Sequence, residues 1–435
     1  MNYMAKRALR TINQHSMKEE NIKQLFSLIS SRPDITRAKL VRITSLSPTT
    51  VSTLVDELIE MNLVEETGQA VTNRAGRKPI SLQINPKGRQ IALFSLNRWG
   101  VRFSLNDLSN KQMETRFADY PADRYGGFSE DTTFPDPDAG EDYAALIESI
   151  LHESLLLNPN KLLALCISFP GIYLESEQVF SWSAMHVSIS CESIAKLETR
   201  LGVPVFLGNS SMSRAYAELK YLDKPGRLLQ DLIYVNVCDG LGAGILVGGE
   251  FLTGSENSAG EIGHVSVNYQ GKRCACGRRG CVEQYVNLDA LIRRVKDALI
   301  THRASVFPDA LTLEAIGQAY DGGDHEIIRE QIDDIAAMLF TAIYSTVCIT
   351  GIKRVVIGGG IERLGPGFLR KLLSFTQQNP YNTLMRNLSI SYALSGMEGD
   401  CEGIAQFYLD NIFRITAGRE TAPEDDIYGK FAATH

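Results

Sequence analysis

His264, Cys274, Cys276 and Cys281 lie within one short stretch of the chain. One imidazole and three thiolates make a complete tetrahedral set for Zn²⁺. No position is left for water, so a metal held there is structural and not a Lewis acid. Gly277 and Gly280 free the backbone to fold back so that the three sulfurs reach one point. Three unligated cysteines, or a disulfide, are the other readings of the same residues. The order His, then Cys-x-Cys-x₄-Cys, favours the metal. Cys166, Cys191, Cys238, Cys348 and Cys401 are scattered and read as small core residues.

The element that must carry this cluster is glycine-rich. Asp239-Gly-Leu-Gly-Ala-Gly-Ile245, then Gly254, Gly260 and Gly263-His264, precede the cysteines. Together they resemble the signature of the ROK family, which groups sugar kinases with sugar-responsive repressors. The resemblance covers nearly the whole chain from about residue 14. It implies an α/β body of two ribonuclease H-like lobes, of the actin and hexokinase kind, with a cleft between them. By family position Asn209, Glu261, His264 and Glu283 face sugar hydroxyls. Gly171, in Ser168-Phe-Pro-Gly171, matches a loop at the pocket rim. Carboxylates that accept pairs of O–H bonds are how proteins grip polyols. With one ring nitrogen on zinc, the other nitrogen of His264 is free to donate to a ligand.

Two departures separate the chain from the kinases it resembles. A phosphotransferase needs a base for the sugar hydroxyl and a nest for the phosphates. The family places the base in an Asn-Asp pair; here Asn209 is followed by Ser210, whose hydroxyl has no useful basicity near neutral pH. The family's first phosphate loop reads Asp-x-Gly-Gly-Thr; here Ser95-Leu-Asn-Arg-Trp99 stands in its place. Arg98 and Trp99 are expected to fill the space of the phosphate oxygens. Gly240, Gly242, Gly244 and Gly358-Gly359-Gly360 remain, but glycines alone say little about nucleotide. Ser181-Trp182-Ser183 stands where the family often has an asparagine. The expectation is a protein that is not an enzyme; the alternative is a sugar kinase or a bifunctional kinase-regulator.

Bulk properties set the frame. A chain of 435 residues with 44% apolar residues supports two or three domains with sizeable cores. Neither a signal-peptide pattern nor an apolar run of spanning length stands out, so no membrane insertion and a cytoplasmic location are expected. The net charge of −7 is uneven. Residues 1–86 carry twelve Lys/Arg against eight Asp/Glu, leaving the remainder strongly acidic. A basic head on an acidic body points to a head that meets a polyanion.

That head, residues 1–86, reads as a winged helix-turn-helix. Ser16-Met-Lys-Glu19 is a capping-box pattern ahead of Ile22, Leu25, Phe26 and Ile29 at helical spacing. Thr36 caps a second helix. Ser47, followed by Pro48 at the first helical position, opens a third with Val51, Leu54, Val55 and Leu58 on its buried stripe. Ser47, Thr49, Thr50, Ser52 and Thr53 present short hydroxyls at the start of that third helix, where bases and phosphates can be approached. Asp56, Glu57 and Glu60 further along would repel phosphate, so the helix enters the major groove N-terminus first. Strands at 63–66 and 80–84 frame a basic wing in which Arg74, Arg77 and Lys78 suit a narrow minor groove. The repressor branch of the ROK family carries the same head.

After Pro86 strands and helices alternate. A first lobe is expected over 87–210, a second with the cysteine loop over 211–415, and a frayed tail over 416–435. Residues 121–142 read as an acidic Pro/Gly-rich surface loop, and no internal repeat is visible. The resemblance therefore implies a sugar-responsive regulator, a repressor, in which a sugar or sugar phosphate bound at the cleft changes the grip on operator DNA. Two-fold symmetry and a single reading head imply a homodimer or a dimer of dimers on an inverted repeat. A sugar-transport protein is a further partner that the resemblance admits, as is an activator role.

Overall fold

The computed structural model describes residues 14–421 apart from 70–79, 99, 121–139, 183–186, 223–229, 303–310, 324, 378–382 and 384. The head comprises α1 (Gln14–Ser31), β1 (Ile35–Thr36), α2 (Arg37–Thr44), α3 (Pro48–Glu60), β2 (Val64–Gln69) and β3 (Ile80–Ile84). Local chemistry sets each boundary. Thr36 Oγ1 accepts the backbone N–H of Lys39 at 3.3 Å to cap α2. Ser45, at φ 58°, closes α2 in the left-handed region and returns its N–H to Val41. Ser47 Oγ then accepts the Thr50 N–H at 3.0 Å and caps α3. Losing that acceptor in Ser47→Ala should cost about 1 kcal/mol, read as a lower denaturant midpoint of the head transition with an unchanged slope. The three strands form an antiparallel sheet in the order β1-β3-β2.

The first lobe contains β4 (Gln90–Leu96), β5 (Gly100–Asp107), β6 (Gln112–Asp119), α4 (Gly140–Glu153), β7 (Leu162–Phe169), β8 (Ile172–Leu174), β9 (Val179–Trp182), β10 (Val187–Ser190), α5 (Cys191–Leu201) and β11 (Val205–Asn209). Its main sheet runs β11-β7-β4-β5-β6, parallel from β11 to β4 and antiparallel beyond. Every residue of β4 is buried, as expected of a strand covered on both faces. Successive side chains alternate between two cores. Ala92, Phe94 and Leu96 meet α4 and α5, whereas Ile91 and Leu93 join the core shared with the head.

Helix α6 (Ser210–Leu222) leads into the second lobe: β12 (Leu232–Val237), β13 (Leu241–Val247), β14 (Glu250–Phe251), α7 (Glu283–Val286), α8 (Leu288–Thr301), α9 (Leu313–Gly322), α10 (Glu326–Thr350), β15 (Arg354–Gly358), α11 (Pro366–Thr376), β16 (Ser389–Tyr392) and α12 (Gly399–Thr421). The sheet order β16-β15-β12-β13-β14 repeats the first lobe's pattern of parallel and antiparallel pairs. The repeat that the sequence hides is therefore present as topology.

Several expectations are corrected. Helix α1 starts at Gln14, so Ser16 lies inside it and is not its cap. The head sheet has a third strand, Ile35–Thr36. Helix α12 extends to Thr421, into the stretch expected to fray. It also leaves the second lobe, packing along α6 and against α1, β4 and β7, so residues up to 415 do not all stay with the second sheet. Cys348 is exposed and Cys191 and Cys238 are half-buried, so only Cys166 and Cys401 of the scattered cysteines sit in the core. Helix α10 does have the length and apolar composition to cross a membrane. Its apolar stripe, from Ile328 through Ile335 and Leu339 to Val347, is instead fully buried in the second-lobe core. The wing residues Arg74, Arg77 and Lys78, with Trp99, Ser183, and most of the 121–142 loop, lie outside the described residues.

Candidate functional site

The ligand atoms of His264, Cys274, Cys276 and Cys281 all lie within 4.8 Å of one another. Cys276 Sγ and Cys281 Sγ are 3.6 Å apart, as are Cys274 Sγ and His264 Nδ1. A sulfur–sulfur bond is about 2.05 Å, so these are not disulfides. A tetrahedron with zinc–sulfur bonds of 2.3 Å has edges of about 3.8 Å, close to the spacing present. The loop that brings them together is held by backbone. Cys274 N donates to Arg278 O at 2.9 Å, and Gly280 N to Lys272 O at 2.8 Å. Gly280 sits at φ 73°, and a Cβ there would lie 1.6 Å from Asn268 O, so no other residue fits. Burial opposes the Cys276 thiolate, but the Arg278 N–H and the neighbouring thiols outweigh it and hold that thiol below its usual value. Burial pushes the Cys281 thiol up to about 12.

The imidazole is shared between this cluster and a second feature. Nδ1 of His264 faces Cys274, while Nε2 lies 3.7 Å from Glu261 Oε2. Both residues line an interlobe cavity of about 410 Å³, as do Gly171, Asn209 and Glu283. All five sequence-nominated ligand residues thus border one space. Removal from water pushes the Glu261 carboxyl above its ordinary range; His264 pulls it down and Glu283 adds to the rise. Part of the polar equipment is already committed. Asn209 Oδ1 caps α6, accepting from Ser211 N at 2.9 Å and Met212 N at 3.1 Å, and its amide donates to Gly171 O at 2.8 Å. Glu283 Oε2 accepts the Leu241 N–H at 3.1 Å. These bonds tie the cavity wall to both lobes and leave Glu261 as the carboxylate most open to a ligand, its side chain 42% exposed.

Ser210 begins α6 at the cavity wall, 8% exposed. The first-lobe turn beyond β4 is closed by a backbone hydrogen bond and an ion pair: Arg98 N donates to Asp239 Oδ2 at 3.0 Å and Arg98 Nη1 to Asp289 Oδ2 at 2.6 Å. Arg98 thus bridges to the second lobe. Burial raises the Asp239 pKa, with the Arg98 N–H partly offsetting it.

Sequence reasoning missed two cavity residues, Arg214 and Asp400. Asp400 accepts from Ser95 Oγ and from Ser168 Oγ at 3.3 Å. Its other oxygen faces Arg214 Nη2 at 3.2 Å. Burial opposes the Arg214 charge, but Asp400 outweighs it and the guanidinium pKa is raised. Nothing local marks Asp400, which reaches the cleft only because α12 returns to the first lobe.

In the head, Thr49 and Thr53 are exposed at the start of α3, while Thr50 and Ser52 are half-buried. Ser47 Oγ and Thr50 Oγ1 lie 2.8 Å apart, so that pair is engaged in the cap. Arg37 binds Asp56 at 2.7 Å and Glu66 at 3.0 Å, which neutralises acid further along the helix.

A two-lobed α/β body with a repeated sheet, a cleft and a small helical head is the class of protein these observations define. The ROK family profile matches residues 134–407, and the chain belongs to the ROK family. It is 28% identical over 389 residues to the xylose repressor of Caldicellulosiruptor bescii, covering 87% of this chain and 92% of that one. Among solved structures it is similar to a ROK family transcriptional regulator, a homologue of the E. coli MLC protein. That match has a TM-score of 0.71 and 22% identity, and covers 92% of this chain and 98% of the other. A ROK family glucokinase from Streptomyces griseus matches with a TM-score of 0.60 and 20% identity, over 73% of this chain and 98% of its own. The body is thus of the sugar-kinase fold.

Proposed function

We propose that this protein is a sugar-responsive transcriptional repressor. Its head is a winged helix-turn-helix that binds operator DNA, and its interlobe cavity binds a sugar or sugar phosphate without phosphorylating it. The observation that carries the non-catalytic part is Arg98. In a phosphotransferase the turn after β4 must receive phosphates; here it is occupied by a guanidinium paired to Asp289 and a backbone N–H spent on Asp239. Ser210 cannot serve as a base; of the further carboxylates lining the cavity, Asp400 is engaged by two hydroxyls and an arginine, and Asp239 accepts the Arg98 N–H. The similarity to a xylose repressor along 92% of that protein supports the regulatory reading and makes a pentose the first sugar to try.

Zinc fits the cysteine loop by donor set and spacing. His264, Cys274, Cys276 and Cys281 would hold it, and the metal would supply only rigidity to the wall carrying Glu261 and Glu283. Sugar hydroxyls would bind Glu261 and the Nε2–H of His264, with Asn209, Glu283 and Gly171 framing the rim. In the head, Ser47, Thr49, Thr50, Ser52 and Thr53 would approach the major groove, and Arg74, Arg77 and Lys78 the minor groove. A homodimer would set two heads on an inverted repeat.

In vitro selection on random duplexes tests the DNA half directly. It should return an inverted repeat, and affinity for it should fall by about a thousandfold or more between 50 and 200 mM salt if six or more phosphates are neutralised. Selection of no shared sequence, with salt-insensitive binding, would remove the head from the account.

A further inference from the structure

Helix α12 touches both ends of the machine. Its first turn lines the cavity: Asp400, 3% exposed, is gripped by Arg214 of α6, Ser95 at the end of β4 and Ser168 at the end of β7. Ser95 and Ser168 are register partners across the β4–β7 pair, so the carboxylate rests on the floor of the first sheet. Arg214 also donates to Gly396 O at 3.3 Å and Met397 O at 3.2 Å, fastening the approach to the helix.

One turn on, Gly403 lies directly against α6. A Cβ there would sit 1.7 Å from Ser213 O, so the two helices meet backbone to backbone and cannot slide independently. Helix α6 itself begins at Asn209 and Ser210, at the cavity wall. Further along, Phe407 stacks on Phe206 at 5.9 Å, and Phe413 meets Phe26 of α1 edge-on at 5.7 Å. Ile404, Tyr408, Leu409 and Ile412 belong to one continuous core with Leu25 and Ile29 of the head. Thirteen helical steps lead from Asp400 to Phe413, about 20 Å of rod. Among its described side chains the rod is pinned to the cleft at one end and to the head at the other.

We infer that α12 is the rod through which the cleft acts on the DNA-binding head, and that the Arg214–Asp400 pair, held by Ser95 and Ser168, is its cleft-side foot. A ligand entering the cavity meets the foot and the N-terminus of α6 together. Displacing either moves α12 as a unit, because Gly403 leaves no slack against Ser213, and the displacement arrives at α1 through Phe413 and Phe26. Asp400 and Arg214 are positioning residues in this scheme; neither touches DNA. What drives the rod rests on the sugar-sensing reading above, but the rod itself does not.

The test is amide hydrogen exchange on the full chain without sugar, so that a failure falls on the rod alone. Asp400→Asn removes the charge at the foot and should raise exchange across residues 17–31 of α1 by about tenfold. Ser95→Ala, a milder change in case the first variant folds poorly, should shift the same peptides in the same direction by less. Ile147→Ala, buried in the first lobe's opposite core, serves as a destabilised control and should leave α1 unchanged. If α1 stays protected in both foot variants, or loosens as much in the control, α12 is not the rod. A rod confirmed by exchange in a protein that answers to no sugar would instead count against the sensing reading.

Discussion

Cys281→Ser should purify with a zinc content near zero and lose both stability and sugar response. Cys281 is fully buried and its Sγ lies 3.6 Å from that of Cys276. Replacing it removes one of four ligands and leaves two thiols and an imidazole, which retain metal poorly. The loop from His264 to Cys281 is joined internally by only a few backbone bonds and two isolated β-bridges, so the metal supplies much of its rigidity. Loss of a structural metal belongs to the mutational effects beyond about 4 kcal/mol. The second lobe has its own large core, so the lobe should remain folded while the loop loosens. His264 begins that loop and Glu261, just before it, lies 3.7 Å from the imidazole, so cavity binding should fail with the loop. Metal analysis, thermal unfolding and sugar titration on the same preparation check the three effects; a stable, zinc-free, sugar-responsive variant would separate the metal from the cavity.

Thr49→Glu should weaken operator binding about a hundredfold without harming the head. Thr49 is exposed in the first turn of α3, which has no acidic residue there. A carboxylate near a helix N-terminus is favourable by about 0.3–1 kcal/mol, so the thermal midpoint should hold or rise. The same carboxylate would face DNA phosphates and base-edge acceptors. One lost contact of 1–3 kcal/mol together with repulsion predicts a fall in affinity of about a hundredfold. Anisotropy of a labelled operator reads the loss, and denaturant unfolding reads the stability. Unchanged affinity would place α3 outside the groove.

Much of this arrangement was legible because it is written in local chemistry. The caps at Thr36 and Ser47, the strand runs of the body and the four clustered metal-type ligands each announce themselves within a few residues. What was hidden depends on distant packing. Gly399 and Gly403 weaken the helical signal of α12, yet Gly403 is required by the contact with Ser213; a residue that spoils the local pattern is the one that permits the tertiary one. Asp400 and Arg214 sit far apart in sequence and meet only because α12 folds back across the first sheet. Helix α5 carries local signals of its own, since Ser190 caps its start and Gly202 closes it in the left-handed region. Arg98 was read as an obstruction, and its ion pair with Asp289 adds that the obstruction also bridges the lobes.

The most direct measurement is release of a selected operator by sugar with ATP omitted. Starting with D-xylose and extending to other sugars and their phosphates, at least one should weaken operator binding tenfold or more, equivalent to about 1.4 kcal/mol of coupling, and be recovered chemically unchanged. Release that requires Mg·ATP and leaves a newly phosphorylated sugar behind would show that the cleft still performs chemistry, contradicting the account at its centre.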